Sequence, residues 1–350
     1  MFKYVILNLQ RKGHEVVTVI RPKDILEKLC IDAGIDFYKV GDRPDSGNKL
    51  KLAVALVKRV MEINRLAGKE KPDMLLGSDG VLAYSGIMRH IPSFEFFDDD
   101  YSVIKLYANI FYPFYTGLIC PEVTDAARWT KKKTGYEGYQ KLTYLHPNVF
   151  TPDERVVEKY FPADEPYFIL RLVNLTAHHD GGISGISTDV ARNVINLLEP
   201  YGKVYVSSEK PLGEKFEQYR LRINPLDIHH IMYYAKIYVG DSQSMAVEAA
   251  LLGTPSLRFN DFAGRISVLE ELEHKYGLTF GIPSCQQDRL YAKIRELLAM
   301  PNLYEEFQSR RQRMLADKID VSAFFTWFIE NYPESRRIMQ ENPDYQYRFR

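Results

Sequence analysis

Residues 239–255 read VGDSQSMAVEAALLGTP, and this stretch predicts a strand end, a tight loop, a short helix and a helix stop. Ile237–Val239 is a β-rich run, and Gly240 permits a sharp turn after it. Either Asp241 or Ser242 can cap the helix that follows. The glycine and proline near the end of the stretch stop that helix. The pattern is typical of a strand–loop–helix unit in a parallel α/β domain.

The helix in this stretch is apolar nearly all round, which predicts that it is buried. Glu248 is the one carboxylate inside it, and a lone acid on a buried helix needs a partner. A ligand hydroxyl is one candidate, and a salt bridge to an arginine such as Arg258 is the structural alternative. The preceding loop offers N–H groups and a helix N-terminus, which favour a phosphate.

Length and composition restrict the function classes. The 350 residues predict about two domains, and an apolar content of 45% is enough for their cores. Lys and Arg together number 46, as do Asp and Glu, so the net charge of zero argues against a general nucleic-acid binder. Because the chain has no apolar run approaching ~18 residues and no signal-peptide pattern, we expect a cytoplasmic protein.

Strand and helix patterns alternate along both halves of the chain, which predicts parallel sheets with helices on both faces. The best linker candidate is His146–Asp153. The chain starts with a helix pattern, Met1–Lys12, although an open parallel α/β domain usually begins with a strand. A missing first strand and a fold that starts with a helix both stay open. His14 is predicted to be structural, because a cation is favoured at a helix C-terminus.

Three polar loops of the second half each follow a predicted strand. They contain His178 with His179, Ser207, and Asp241–Ser244. Because the carboxyl ends of parallel strands meet at one sheet edge, we expect these loops to line a common crevice. His178 could bind a phosphate or act as an acid or base. The alternative is that it makes a hydrogen bond within its own loop. The histidine pair has no third metal ligand nearby, which argues against a zinc site.

Two charged segments of the first half have alternative interpretations. Asp98–Asp100 could hold a divalent cation, but a solvated turn is the favoured interpretation. Ala126–Lys141 is basic with interleaved aromatic residues. It could touch an anionic membrane surface, but a solvated face is favoured.

Several motifs resemble a known group of enzymes. Residues 240–255 resemble the donor-side segment of GT-B-fold enzymes that handle nucleotide sugars. With KGHEV at 12–16, KPD at 71–73 and AHHD at 177–180, the chain is similar to an uncharacterised archaeal and bacterial domain family placed beside GT-B glycosyltransferases. The resemblance covers most of residues 1–330. It implies that family members carry a strand and a histidine- and proline-containing loop before the first helix.

The second half also resembles non-hydrolysing UDP-N-acetylglucosamine 2-epimerases. Thr176–His179 is similar to their Thr-x-His-Arg segment, with His179 replacing the arginine. Asp241–Ser244, followed by Glu248, is similar to their Asp-Ser-Gly-Gly…Glu-Glu-Ala segment, with both glycines replaced. By this resemblance Ser242 and the neighbouring N–H groups would meet a diphosphate, and Glu248 would meet the ribose. The epimerase motif His-x-Glu-Ala-Gly is absent, and FEFFD stands at the corresponding place.

The resemblance implies a GT-B architecture, an α/β fold in which two Rossmann-like parallel-sheet domains face a cleft. Residues 1–148 would form the acceptor-side domain, and residues 149–320 the nucleotide-sugar-binding domain. Residues 321–350 would supply a helix, about Val321–Asn331, that packs back on the first domain, followed by a tail.

The implied function is glycosyl transfer from a nucleotide-diphosphate sugar, without a cofactor or metal, in surface polysaccharide or glycoconjugate biosynthesis. The acceptor would be a sugar or a lipid-linked sugar. The catalytic candidates are His178, Asp79 and Asp98, with Asp100 as a further candidate base. The donor-site candidates are His179, Ser207, Asp241, Ser242, Gln243, Ser244, Glu248 and Arg258. An epimerase and a non-catalytic nucleotide-sugar-binding protein stay open as alternatives, as do peripheral membrane contact and a homodimer.

Overall fold

The computed structural model describes residues 1–22, 26–41, 49–162, 165–173, 185–208 and 212–350. The chain forms two compact units. Unit 1 comprises Met1–Tyr144 and Ile319–Arg350, and unit 2 comprises Leu145–Lys318.

The described residues of unit 1 form the first six helices and six strands together with the last two helices. In chain order these are α1 (Lys3–Arg11), β1 (Thr18–Ile20), α2 (Leu26–Asp32), β2 (Phe37–Lys39), α3 (Lys49–Glu70), β3 (Leu75–Gly77), α4 (Val81–Arg89), β4 (Ser93–Phe96), α5 (Lys105–Phe111), β5 (Gly117–Pro121), β6 (Lys133–Tyr136) and α6 (Leu142–Leu145, which ends one residue into unit 2). Strands β1 and β2 form a parallel pair, and the other four form a parallel sheet in the order β3-β4-β5-β6.

Unit 2 is built around one five-stranded parallel sheet in the order β11-β10-β9-β7-β8. Its elements are α7 (Glu154–Glu158), β7 (Tyr167–Leu172), α8 (Thr188–Leu198), β8 (Lys203–Ser208), α9 (Glu214–Glu217), α10 (Ile228–Tyr234), β9 (Ile237–Gly240), α11 (Gln243–Leu252), β10 (Ser256–Phe259), α12 (Ser267–His274), β11 (Thr279–Ile282), α13 (Gln287–Leu298) and α14 (Leu303–Asp317). The central strands are fully buried, as is typical of parallel sheets covered on both faces.

The C-terminal helices α15 (Val321–Glu330) and α16 (Glu334–Glu341) belong to unit 1. The aromatic side chains of α15 cover the four-stranded sheet: Phe325 lies 4.7 Å from Phe96 and 5.1 Å from Tyr136 between ring centroids. At the other end of α15, Glu330 accepts from Lys12 and lies 3.1 Å from His14 Nε2. These contacts join α15 to α1, and the structural role of His14 stays a prediction.

The stretch that organises the sequence folds as predicted. Strand β9 ends at Gly240, and Ser242 Oγ accepts from the Met245 N–H to cap α11. The helix is buried along most of its length, as its composition predicts. It ends at Gly253 in a left-handed conformation, with φ of 77°. Of the two candidate caps, the structure selects Ser242.

Replacing Ser242 with alanine is expected to lower the free energy of unfolding by about 1 kcal/mol, because the cap that satisfies one N–H of the first turn is lost. Urea unfolding followed by circular dichroism measures this. Ser242→Asn is the matched control, since asparagine caps as well as serine. An alanine variant as stable as wild type would contradict the capping role.

The favoured interpretation of the basic run at 126–141 as a solvated face holds for Arg128 and Lys131, which are exposed, but not for Lys132 and Lys133, which are engaged in the fold. Lys132 Nζ donates to three backbone carbonyls, and Lys133 Nζ donates to two. The run also contains β6, which sequence reasoning missed, and its Tyr136 and Tyr139 are fully buried. Pairing with β5 recruits this polar segment into the sheet.

Candidate functional site

The carboxyl edge of the unit 2 sheet gathers side chains from three neighbouring strands. Arg171 on β7 lies in register with Ser207 on β8 and with Gly240 on β9. Its Nη1 donates to Ser207 Oγ at 2.9 Å. Parallel register therefore places two of the predicted polar loops, after β8 and β9, on either side of the end of β7. The third predicted loop, with His178 and His179, lies outside the described residues.

Asp241 ties the loops of this edge together. Its Oδ1 accepts from the Val173 N–H at 2.8 Å, and its Oδ2 accepts from the Ile186 N–H at 3.4 Å. Its backbone oxygen accepts from Asn260 Nδ2 at 2.9 Å. Burial raises the pKa of Asp241, while the two backbone N–H groups oppose that shift. A β-carbon at position 185 would lie 2.5 Å from Asp241 Oδ2, so this approach requires Gly185.

The amino end of α11 opens onto the same edge. Gln243 is the first helical residue, and the exposed Ser244 follows it. The first N–H groups of a helix have no partner within the helix, and the helix dipole favours an anion beside them. Gly240 leaves room for the Tyr238 side chain, since a β-carbon at position 240 would lie 2.5 Å from the Tyr238 hydroxyl. The arrangement suits a phosphate or diphosphate.

Glu248 lies on α11 next to a histidine of α10. His229 Nε2 is 3.6 Å from Glu248 Oε2, and both side chains are largely but not fully buried. Arg258 is not the partner of Glu248. It is completely buried on β10, where its Nη1 donates to Gln243 Oε1 at 3.1 Å and its Nη2 lies 3.6 Å from Glu270 Oε1. Arg258 therefore contacts Gln243, the first residue of α11. The Gln243 side-chain amide also donates to Asn260 Oδ1.

The candidate acids of unit 1 lie at the carboxyl edge of its sheet, where each is engaged. Asp79, after β3, accepts two bonds from the guanidinium of Arg59, at 2.8 and 3.1 Å. Asp98, after β4, accepts from Lys141 Nζ at 2.9 Å. Asp100 is buried and accepts from the Asp125 N–H at 2.7 Å. The favoured interpretation of 98–100 as a solvated turn is therefore wrong, since two of the three carboxylates hold the fold together.

Sequence reasoning missed Glu95, the single acidic residue of β4. It is 2% exposed and lies in register with Gly77 and Leu118 of the flanking strands. Its Oε1 accepts from the Tyr107 hydroxyl at 2.8 Å, while its Oε2 is buried without a partner among the described residues. Burial raises the pKa of Glu95 to about 7. A single acid inside an aromatic strand, FEFF, is the signal that could have found it.

The other missed residues are Arg171, His229 and Asn260. Arg171 is the only charge in the apolar strand β7, and Asn260 follows β10 directly, so a polar residue at a strand end was the available signal. Among the described residues, no three His, Cys, Asp or Glu side chains are grouped as a metal site requires.

The family model described as "Protein of unknown function (DUF354)" matches residues 1–262, which is most of the chain. The chain belongs to the DUF354 family. No curated protein matches this DUF354 chain.

Solved structures similar to the DUF354 chain include MnaA in complex with UDP, a 2-epimerase and a glycosyltransferase. The S. aureus MnaA–UDP structure has a TM-score of 0.67 and 14% identity, covering 95% of this chain and 93% of that one. The UDP-GlcNAc 2-epimerase of Neisseria meningitidis, bound to UDP-GlcNAc, has a TM-score of 0.63 and 15% identity, covering 87% and 90%. The spinosyn forosaminyltransferase SpnP has a TM-score of 0.60 and 15% identity, covering 90% and 91%. The DUF354 chain therefore has a GT-B fold with two Rossmann-like domains, as the sequence predicts.

Proposed function

We propose that unit 2 binds a nucleotide-diphosphate sugar at the amino end of α11, and that the protein is a glycosyltransferase. The observation that carries the proposal is the pairing of an open helix N-terminus with Glu248 on one buried helix. Five residues separate Gln243 from Glu248, about 7.5 Å along the axis at 1.5 Å per residue. A nucleotide spans a comparable distance between its diphosphate and its ribose diol. The diphosphate would meet the N–H groups of Gln243 and Ser244, and the ribose hydroxyls would donate to Glu248.

Glycosyl transfer releases a nucleoside diphosphate, so the protein has to stabilise the charge that develops on the leaving group. Preorganised N–H groups and a helix dipole do this efficiently in a site shielded from water. Ser242 holds the first turn of α11 in place for that task, and Asp241 holds the surrounding loops. His178 and His179 are proposed to share the contact with the diphosphate, as the sequence motif implies.

The acceptor is proposed to bind at the carboxyl edge of the unit 1 sheet, where a base accepts its hydroxyl proton. Of the three candidate acids Asp79 is the best, because its side chain is 42% exposed against 23% for Asp98, and Asp100 is buried. The Arg59 guanidinium orients the Asp79 carboxylate by a two-point contact. A sugar or lipid-linked sugar fits such a site, in surface polysaccharide or glycoconjugate biosynthesis on the cytoplasmic side.

A sugar-nucleotide 2-epimerase is the second candidate. It is favoured by the similarity to the UDP-GlcNAc 2-epimerase of Neisseria meningitidis, which covers 87% of this chain. The two functions differ in what they need, because an epimerase converts a UDP-sugar alone whereas a transferase also requires an acceptor. Product analysis after incubation with UDP-N-acetylglucosamine alone distinguishes them: an epimeric sugar nucleotide would overturn the transferase.

Replacing Glu248 with alanine is expected to weaken nucleoside-diphosphate binding about tenfold. A charge-assisted hydrogen bond to the ribose contributes about 1.5 kcal/mol. Isothermal titration calorimetry with UDP and other nucleoside diphosphates measures this loss. Glu248→Gln is the matched control, because it retains one acceptor and should lose less. If the alanine variant binds every nucleotide as tightly as wild type does, Glu248 does not contact the ligand and the assignment of the site is wrong.

A further inference from the structure

Helix α3 is apolar on two opposite faces. Ile63 and Ala67 are 5% exposed and pack into unit 1. On the other side, Val54, Val57 and Met61 are 62%, 54% and 62% exposed. At about 100° per residue these three side chains fall within roughly 60° of one another, and Val54 lies about 180° from Ile63. We call Val54, Val57 and Met61 the α3 stripe.

A water-facing stripe of this kind is unusual. A surface helix normally carries polar residues opposite its buried face, and grouped exposed aliphatic side chains mark an interaction surface. Valine and methionine on three successive turn positions contribute no hydrogen bonds that would favour exposure. The fold of unit 1 does not require this stripe, since the opposite face of α3 already supplies the core contacts.

Two lysines lie along one side of the α3 stripe. Lys58 and Lys51 are placed about 40° and 60° round the helix from Val54 by the same helical geometry. Both are exposed, and Lys58 Nζ lies 4.0 Å from Glu62, whose other oxygen accepts from the Gly41 N–H. An apolar stripe bordered by lysines matches the boundary of a bilayer, where acyl chains lie beneath anionic head groups.

We propose that the α3 stripe, with Lys51 and Lys58, is where this protein contacts an anionic membrane surface. A second copy of the chain fits less well, because a twofold axis across the stripe would bring Lys58 close to its own symmetry mate. Membrane contact was first considered for residues 126–141, but Lys132 and Lys133 there are bonded to backbone carbonyls. The described helices include none long and apolar enough to cross a membrane, so contact through α3 would be peripheral.

The test is sedimentation of the full chain with phosphatidylcholine vesicles, with and without phosphatidylglycerol. Wild type is expected to bind only the anionic vesicles. Lys51→Gln with Lys58→Gln should reduce the partition coefficient about 25-fold, about fivefold per lysine. Val57→Ser with Met61→Ser should reduce it about tenfold. Leu52→Ser is the matched control, because Leu52 is 47% exposed on the same helix but lies about 160° from Val54.

The proposal is overturned if wild type fails to bind anionic vesicles, or if the stripe variants bind as well as the Leu52→Ser control. A dimer seen by light scattering that the Val57→Ser/Met61→Ser variant dissociates, without vesicle binding, would assign the stripe to a second copy. Nucleotide binding by unit 2 should be unchanged in all these variants. The membrane proposal and the nucleotide-sugar proposal can therefore fail independently.

Discussion

Glu95→Gln is expected to raise the stability of unit 1 by about 3 kcal/mol at pH 8. Glu95 is buried in β4 with one oxygen unpartnered among the described residues, and burial raises its pKa to about 7. The hydroxyls of Tyr115 and Tyr107 favour the charged form, while the charge of Asp79 disfavours it. Above pH 7 the folded protein therefore holds a poorly compensated buried carboxylate. Glutamine keeps an acceptor for Tyr107 and carries no charge.

The pH dependence has a definite sign. A carboxyl group with an ordinary pKa near 4.5 in the unfolded chain and about 7 in the folded chain binds more protons when folded. Its contribution is fully present below about pH 4.5 and is lost as the pH rises through 7. Each pH unit between the two values is worth about 1.4 kcal/mol, which gives the 3 kcal/mol. Glu95→Gln should not lose stability in this way as the pH rises, and at pH 4.5 its free energy of unfolding should differ little from that of wild type.

Urea unfolding at pH 4.5, 6 and 8 measures the effect, with tryptophan fluorescence as the probe. The two tryptophans, Trp129 and Trp327, both lie in unit 1, so the signal reports on that unit. Glu15→Gln is the matched control, because Glu15 is an exposed acid of the same unit. If the difference in the free energy of unfolding between Glu95→Gln and wild type is the same at every pH, Glu95 does not titrate near neutrality. A pKa near 7 would also suit proton transfer at the proposed acceptor site.

Phe325→Ala is expected to destabilise unit 1 by about 4 kcal/mol. Phe325 on α15 is completely buried and packs edge-on against Phe96 and Tyr136, which belong to β4 and β6. Removing a buried phenyl ring leaves a cavity between the helix and the sheet, and such changes cost about 3–5 kcal/mol. The substitution is expected to lower the stability of unit 1, although α15 follows unit 2 in the sequence.

Hydrogen exchange resolved along the sequence measures this prediction. Amides of 93–96 and 133–136 should exchange faster in the variant, while those of 237–240 and 256–259 in unit 2 should not. Phe325→Leu is the matched control and should cost about 1 kcal/mol, because it fills most of the space. Phe168→Ala, which removes a completely buried side chain of β7, should give the opposite pattern. Equal acceleration in both units would contradict the assignment of α15 to unit 1.

Local patterns predicted much of the fold. The 239–255 stretch gave strand, loop and helix because turn residues, an N-cap and a C-terminal glycine act over a few positions. The helix predicted at about 321–331 is α15, which spans Val321–Glu330. Strand β6 was missed because its sequence, KTGY, has no apolar run, and pairing with β5 makes it a strand. The propensity of an edge strand depends on its partner strand, which its own residues do not encode.

The candidate site was predicted less completely. Polar residues after strands pointed to Ser207 and Asp241–Ser244, since parallel strands bring their carboxyl ends together. The sequence did not reveal that the Asp241 carboxylate accepts hydrogen bonds from backbone N–H groups, or that Glu248 lies beside His229. Both contacts join residues from different loops or helices, and no local pattern encodes them.

The sequence by itself determined the parallel α/β class, the strand–loop–helix unit at 239–255 and the family. These follow from periodicity, turn chemistry and motifs, which act over short distances along the chain. Only the tertiary structure decided which charges are buried and with what partner. Arg258 is completely buried and bonded to Gln243, Asp98 is paired with Lys141, and Glu95 lacks a second partner among the described residues. The physical reason is that burial and charge pairing depend on long-range packing, and a charge costs little in water but much in a sheet without its counterion.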